Sequence, residues 1–287
     1  MRLHSTAGRS SPSLLALLLT LLLGIAIGYV LGQRAPGSIA GNLPKRGAPS
    51  PTGSTSPGAP SRSSGSPGVE SSWHSGAKPT PELAAFRGCP PEGDGGDPAL
   101  NRLKNRIDEP ARPVPLPVDT LLNLPWPRDV AREDRARWSA PARGEVGRYE
   151  GVPLVVEGYF AGAKVEGPES PNCHGADTEM RDWHLWLTGG EGEDRTRSVV
   201  VETTPAVRAR HPEWTLAAVR GAIRSRSRVR ITGWLMLDPE HPDQVGRTRG
   251  TIWEIHPITR IEVQQNGSWV PLGQGAAPER PTRRRRA

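Results

Sequence analysis

The feature that most constrains this chain is a long stretch that cannot pack. Residues 33–85 consist mainly of Gly, Pro, Ala, Ser and Thr, with very few aliphatic side chains. Such a stretch cannot bury enough apolar surface to offset the entropy lost on ordering, so it is predicted to be a disordered linker. With the residues before it, the linker removes about a third of the 287 residues from any core. The remainder has room for one domain.

The segment before the linker predicts a membrane anchor. Residues 13–31 carry no charged side chain and, as a helix, would span about 28 Å, close to the thickness of a bilayer's hydrocarbon core. We therefore predict a short basic N-terminus at residues 1–12 and a transmembrane signal anchor at residues 13–32, so the membrane is the first expected partner. A cleaved signal peptide is the alternative, but its apolar core is usually shorter. The basic N-terminus favours a cytoplasmic-membrane protein whose domain lies on the extracytoplasmic side.

Two cysteines, Cys89 and Cys173, occur in the chain. If the domain is exported, both lie in an oxidising compartment, and we predict that they form one disulfide. Cys89 lies near the start of residues 86–150, which are predicted to be an N-terminal extension packed on the main domain. Within it, the spacing of apolar residues predicts a short amphipathic helix around residues 100–107, and a second, charged helix is expected at about residues 128–138.

Residues 151–273 alternate apolar and polar side chains in the manner of β-strands. The first strand, residues 152–165, contains interior glycines, which are typical of a bulge or sharp bend. Two strands follow, then a helix from about residue 213, then two more strands. This is the element order of an OB fold. We therefore predict a mostly β protein, an OB-like five-stranded small barrel with one helix, preceded by a single transmembrane helix and a disordered linker; a plain β-sandwich is the alternative.

Two local signals refine the end of this domain. Proline cannot donate to a β-ladder, so the fifth strand, residues 251–263, is expected to be interrupted at His256-Pro257. The dipeptide Asn266-Gly267 is typical of a type I′ turn and predicts a final hairpin.

Three stretches of this domain resemble a family of bacterial proteins with no assigned function. They read EGPESPNCH at residues 166–174, WLMLDPEHPDQVG at residues 234–246 and TIWEIHPITRIEV at residues 251–263. The resemblance covers roughly residues 152–263. It implies membrane-anchored or exported proteins in which an OB-like domain is fused to varied N-terminal anchors. It implies no activity, because none is established for the family.

The second predicted strand offers a candidate ligand-binding face. Asp182, His184 and Trp186 alternate with apolar residues, so they should share one face, and His256 lies on a neighbouring strand. OB folds bind ligands over their middle strands, where an aromatic ring provides a stacking platform. The alternative is a plain solvated face, which any half-exposed strand needs.

Histidines and acidic residues raise the question of a metal site. The residues considered are His174, Asp177, Asp182, His184, Asp238, His241 and His256. None has the local HExxH or CxxC spacing that marks a zinc site, so we predict no metal and no cofactor. Thiolate catalysis at Cys173-His174 is not expected either, because neighbouring residues of an extended chain point opposite ways. No catalytic residue is predicted.

The net charge of +7 is compatible with an anionic partner. Much of it comes from an Arg-rich tail, residues 274–287, which is predicted to be disordered. Nucleic acid is an expected partner only if the domain is cytoplasmic. We expect a membrane-tethered extracytoplasmic binding module for an anionic polymer, an oligosaccharide or an envelope protein. A metal-dependent hydrolase using a His/Asp cluster and a structural subunit of an envelope complex are the alternatives.

Overall fold

The computed structural model describes residues 78–132 and 134–274 of the chain. Within these two ranges, no helix combines the length and the apolar character needed to cross a bilayer. The predicted signal anchor at residues 13–32 lies outside them, as do most of the predicted linker and nearly all of the predicted tail.

Seven strands and five α-helices occur in the described part of the chain. The strands are β1 (Val114–Pro117), β2 (Pro153–Val165), β3 (Trp183–Thr188), β4 (Val199–Thr203), β5 (Arg228–Leu237), β6 (Trp253–Gln265) and β7 (Ser268–Pro271). The helices are α1 (Pro98–Lys104), α2 (Val118–Leu122), α3 (Ala140–Tyr149), α4 (Pro205–Arg208) and α5 (Leu216–Arg224). Short 3-10 turns lie between several of these elements.

Strands β2 to β6 close into a barrel in the order β2-β3-β4-β6-β5, with β5 returning to β2. Neighbours are antiparallel except for β4 and β6, which run parallel. The prediction of a mostly β protein built on a five-stranded barrel is therefore confirmed. β7 follows the predicted Asn266-Gly267 turn and pairs with β6; both turn residues have positive φ, as a type I′ turn requires.

β2 serves both halves of the barrel because it is long and bent. Its first half pairs with β5 and its second half with β3, and the register shifts between Phe160 and Gly162. A Cβ at Gly158 would lie 2.3 Å from the carbonyl oxygen of Thr188, so only glycine fits this close approach. The predicted irregularity in the first strand is thus confirmed.

One apolar core fills the barrel and continues under α5. The inward side chains of the strands include Leu154, Val156, Leu185, Leu187, Val201, Ile231, Leu235, Ile255 and Ile261. The Thr215 hydroxyl caps α5 by accepting a hydrogen bond from Ala218 N at 3.0 Å. α5 then buries Val219 and Ala222, as the predicted helix from about residue 213 required.

The residues before β2 pack against this barrel. β1 extends the sheet by pairing in parallel with β2. A disulfide joins Cys89 to Cys173, which lies in the loop between β2 and β3, and the two Cα atoms are 5.8 Å apart. That separation is within the limit of about 7 Å that a bridge requires. The bridge therefore fastens the beginning of the described chain to a loop of the barrel.

The helix expected at residues 128–138 is wrong. That stretch contains two 3-10 turns, Arg128–Val130 and Arg135–Arg137, and the true helix, α3, begins after them. Ser139 caps α3 by accepting from Ala142 N at 3.2 Å. The capping serine and the following proline are the signals from which α3 could have been found.

The expected interruption of the fifth barrel strand occurs in its pairing with β5 but not in the strand itself. β6 runs without a break through His256-Pro257. The pairing of β6 with β5 shifts register around Gly233, which faces Ile258, while Leu235 faces Ile255. Pro257 falls at this irregularity, where the ladder does not need a donor from its nitrogen.

Candidate functional site

The outward side of β3, β4 and β6 carries a buried cluster of charged side chains. In the sheet register, His184 of β3 lies opposite Glu202 of β4 and opposite Lys164 of β2. Val200 of β4 pairs with Glu254 of β6. Because alternate residues of a strand point to the same side, His184, Glu202 and Glu254 are brought together outside the barrel.

The four residues predicted to bind a ligand lie on this side of the sheet. The alternative, a plain solvated face, is wrong. The exposed fractions are 0% for Asp182, 5% for His184, 6% for Trp186 and 1% for His256. The face is therefore an enclosed site and not an open platform.

The end of α1 and the loop between β2 and β3 cover this face. Lys104 and Asn172 come from these two segments, and both are buried. Asn172 Nδ2 donates to Asp182 Oδ1 at 2.8 Å. Asn105 Nδ2 donates to the carbonyl oxygen of Pro171 at 2.7 Å, which ties α1 to the loop. The strand pattern gave no sign of this cover, because its residues come from elsewhere in the chain.

Trp186 does not offer a free stacking surface. The guanidinium carbon of Arg195 lies 4.0 Å from the centre of its ring, and the ring of His184 lies 4.5 Å away between centroids. Trp183 and Leu185 belong to the apolar core, whereas Trp186 does not. The predicted division of β3 into two faces is thus confirmed, but Arg195 occupies the place expected for a ligand.

His184 joins two carboxylates at the centre of the cluster. Its Nδ1 lies 2.6 Å from Glu202 Oε1 and 2.8 Å from Glu166 Oε1. Lys164 Nζ lies 2.6 Å from the same Glu166 oxygen. His184 therefore bridges the end of β4 and the residue that follows β2.

His256 lies among three further carboxylate oxygens. Its Nε2 is 3.4 Å from Asp182 Oδ2, and its Nδ1 is 3.6 Å from Glu254 Oε2 and 3.7 Å from Glu202 Oε2. These are ion-pair distances, and neither ring nitrogen has a hydrogen-bond partner among residues 78–132 and 134–274. Glu202 thus touches both histidines, one with each oxygen.

Arg249 closes the cluster at its other end. Its Nη1 donates to Asp238 Oδ2 at 2.6 Å, and its Nη2 donates to Glu254 Oε1. His241 Nδ1 lies 2.8 Å from the same Asp238 oxygen. Two of the most buried carboxylates therefore share one buried guanidinium.

Two residues of the metal-ligand survey lie away from the cluster. His174 is exposed, with Nε2 2.9 Å from the carbonyl oxygen of Asp94, and Asp177 is exposed in the loop before β3. The charged residues that sequence reasoning missed are Lys104, Glu166, Glu169, Glu202, Arg249 and Glu254. Glu202 gives no local signal, because its position opposite His184 becomes visible only once β3 and β4 are paired.

A small cavity lies within the cluster. Its volume is about 50 Å³, and it is lined by Lys104, Lys164, Glu166, Glu169, His184, Glu202, Asp238, His241, Gln244 and Glu254. A single water needs about 10–15 Å³ by this kind of measure. The space therefore suits an ion or a few waters. Asp182 and His256 lie behind it and do not line it.

The carboxylates control the charge of the two central histidines. Burial alone would lower the pKa of His184, but the charge of Glu202 and hydrogen bonds with Glu202 and Glu166 raise it to about 9. Burial opposes the charge of His256 as well, yet Asp182 and the other carboxylates around it raise its pKa to about 10. Both imidazoles are therefore protonated at neutral pH when no other cation is present.

We expect the stability of the chain to fall as the pH rises from 7 to 10 in the presence of a chelator. An imidazole in an unfolded chain has a pKa of about 6.5. Because the folded pKa values of His184 and His256 are higher, their contribution is complete below about pH 6.5 and is lost as the pH rises through 9 and 10. Melting temperatures recorded across this range test the prediction.

The His184→Gln variant serves as the control for this pH dependence. It should show a smaller fall in melting temperature over the same range, since one of the two titrating groups is gone. A wild-type melting temperature that stays constant or rises between pH 7 and 10 would mean that the imidazoles are not protonated in the folded chain.

A second concave surface lies on another part of the barrel wall. This groove, of about 820 Å³, runs between β1 and strands β2, β5 and β6. Arg228, Arg230 and Arg260 line it. The first two pair with Glu157, and Arg260 pairs with Glu109. Because its arginines are already paired, the groove does not favour the anionic polymer expected from the net charge.

Comparison with known proteins gives no relative for this chain. No family model matches it, and a search of curated proteins finds no match. The resemblance at residues 166–174, 234–246 and 251–263 therefore stays a prediction.

Proposed function

We propose that this chain is a membrane-tethered, extracytoplasmic binding module whose OB-type barrel holds a small cation in the buried cluster. The observation that carries the proposal is the small, charge-lined cavity of about 50 Å³ beside His184. A cavity of this size accepts an ion with a few waters. The walls of the cavity determine which sign of charge fits.

Acidic groups dominate these walls. Of the ten lining residues, five are carboxylic acids, two are lysines and two are histidines. Two of the acids, Asp238 and Glu254, share the single positive charge of Arg249. Glu166 pairs with Lys164 as well as with His184, whereas Glu202 lies against the two histidines, so its charge depends on protonated imidazoles or on another cation, because buried charges need a partner. A small cation is therefore the complementary ligand.

The same dimensions favour a binding module over an enzyme. Pockets for organic ligands usually enclose about 300–1,000 Å³. The cavity beside His184 is several times smaller, at about 50 Å³. A metal-dependent hydrolase has to place its substrate next to the ion. This cavity leaves no room for an organic substrate beside an ion, so the hydrolase alternative has less support.

Two features support the tethered and exported location. The uncharged run at residues 13–31 is long enough for a membrane span. The Cys89–Cys173 bridge is of a kind that persists in oxidising compartments. The barrel's strand order, with α5 between β4 and β5, supports the OB type.

We expect a small cation to stabilise the full-length chain through Glu202. The protein, purified in detergent and washed with chelator, would be melted with ammonium, guanidinium, Mg²⁺, Ca²⁺, Mn²⁺ or Zn²⁺ while its tryptophan fluorescence is followed. A ligand at 100 times its Kd stabilises the native state by about 2.7 kcal/mol. That corresponds to a rise in melting temperature of about 5–10 °C for a domain of this size.

Two variants separate binding at the cluster from non-specific effects. Glu202→Gln preserves the shape of the side chain but removes its charge, so it should lose the stabilisation. Glu109→Gln removes an exposed carboxylate that pairs with Arg260, and it should respond as the wild type does. The proposal fails if no cation stabilises the wild type, or if Glu202→Gln responds equally.

A further inference from the structure

We infer that the cation is a divalent transition metal, bound by Glu166, His184 and Glu202. This inference rests on the proposed function and names its ligand. The three side chains come from the loop after β2, from β3 and from β4, so the sheet register fixes two of them and the covering loop supplies the third. All three line the cavity.

The three ligand atoms already face one another. His184 Nδ1 lies 2.8 Å from Glu166 Oε1 and 2.6 Å from Glu202 Oε1, and a ligand atom from each residue lies within 4.8 Å of the other two. A tetrahedral ion with ligands at about 2.0–2.1 Å keeps its donors about 3.4 Å apart. For an ion to enter, the two carboxylate oxygens each have to move only ~0.6–0.8 Å away from His184 Nδ1.

A second group of side chains points to a ligand at the same place. Glu202 Oε2 lies 3.7 Å from His256 Nδ1. Neither ring nitrogen of His256, nor Asp182 Oδ2, has a hydrogen-bond partner in the described part of the chain, although both side chains are almost fully buried. Buried polar groups are normally paired. These atoms beside the shared Glu202 are held at ion-pair distances of 3.4–3.7 Å without a hydrogen bond, which indicates a cluster that can rearrange when an ion engages that carboxylate.

A third group, Asp238, Glu240 and His241, is less favourable because Arg249 already pairs with Asp238. The position of the cavity decides between the other two groups. Asp182, Glu202 and His256 also bring their ligand atoms within 4.8 Å of one another. Asp182 and His256 do not line the cavity, however, so an ion there would have no space for a water. We therefore assign the metal to the His184 group, and His256 acts as a positioning residue for Glu202.

The donor set selects the class of metal. One imidazole nitrogen with carboxylate oxygens suits Zn²⁺, Mn²⁺, Co²⁺ or Fe²⁺, whereas Ca²⁺ and Mg²⁺ prefer oxygen ligands alone. Thiolate ligands are not offered, because Cys89 and Cys173 are bonded to each other. Lys164, which pairs with Glu166, has a side chain that is 45% exposed and can turn to solvent as the ion binds.

Calorimetric titration of the chelator-washed, full-length protein in detergent tests this assignment. We expect one Zn²⁺ per chain, and at least about tenfold weaker binding of Ca²⁺. Co²⁺ titration should give visible absorption bands of a four- or five-coordinate site. His184→Asn should weaken Zn²⁺ binding by at least about 10–100-fold, the range seen when even an outer partner of a metal ligand is lost.

Matched variants make the result decisive. His174→Asn makes the same substitution at an exposed histidine whose φ of 53° suits asparagine, and it should bind Zn²⁺ like the wild type. Glu166→Gln repeats the test at a less buried ligand in case His184→Asn does not fold. Zn²⁺ binding that is absent in the wild type, or unchanged in Glu166→Gln, overturns the inference.

The two proposals fail in different ways. If no transition metal binds but ammonium, guanidinium, Mg²⁺ or Ca²⁺ stabilises the chain through Glu202, the metal assignment is wrong and the proposed function stands. If no cation binds, both are wrong. Zn²⁺ binding that is lost in Glu166→Gln and in Glu202→Gln supports both.

Discussion

Replacing Arg249 with methionine is expected to lower the free energy of unfolding by about 3–5 kcal/mol. The arginine side chain is 1% exposed and contacts Asp238 and Glu254, which are 3% and 4% exposed. Methionine fills much of the same volume but leaves both carboxylates buried without their shared cation. The cost arises from these uncompensated charges more than from lost packing. Equilibrium unfolding in urea measures it.

A surface ion pair provides the control for this large effect. Arg132 pairs with Asp243, and the two side chains are 65% and 54% exposed. Arg132→Met should therefore cost no more than about 1 kcal/mol. If Arg249→Met proves equally mild, the carboxylates of Asp238 and Glu254 must be protonated or reached by water in the folded chain.

The second large effect is expected from the loss of the Cys89–Cys173 bridge. The two cysteines are 84 residues apart, so the bridge closes a long loop in the unfolded chain. In the chain-entropy account, such a loop corresponds to about 4.5 kcal/mol of stabilisation. The double variant Cys89→Ser, Cys173→Ser should lose most of this, as measured by urea unfolding of the full-length protein.

Reductant offers an independent check of the bridge. Dithiothreitol should lower the melting temperature of the wild type toward that of the double serine variant, and it should leave the variant unchanged. Two alkylatable thiols in protein purified from membranes without reductant would contradict both the bridge and the exported orientation.

The barrel was predictable because alternating side chains report directly on burial. In residues 152–165 and 229–237, the apolar face of each strand can be identified from that strand's own sequence, without knowing which strands lie beside it. α3 was not predicted, because Gly144 and Gly147 weaken its helical pattern and only the Ser139 cap and the proline in its first turn are favourable. Local sequence thus described strands better than the extension that packs on them.

The candidate site was only partly predictable. Asp182, His184 and His256 attract attention as titratable residues on strands. Glu202 lies near the end of β4 and Glu254 near the start of β6, where a lone glutamate usually faces water. Their burial depends on α1 and on the loop that carries Asn172, and no local pattern reveals which distant segment will cover a face.

The buried cluster draws its side chains from almost the whole length of the described fold. Lys104 enters before the first barrel strand, and His256 lies on the last one. Contacts between residues so far apart in sequence form late, after the loops between them have closed. A chain that lacks β6 also lacks Glu254 and His256. The proposed capacity to hold a cation would therefore report that the barrel has closed, because the walls of the cavity are complete only when β6 is in place.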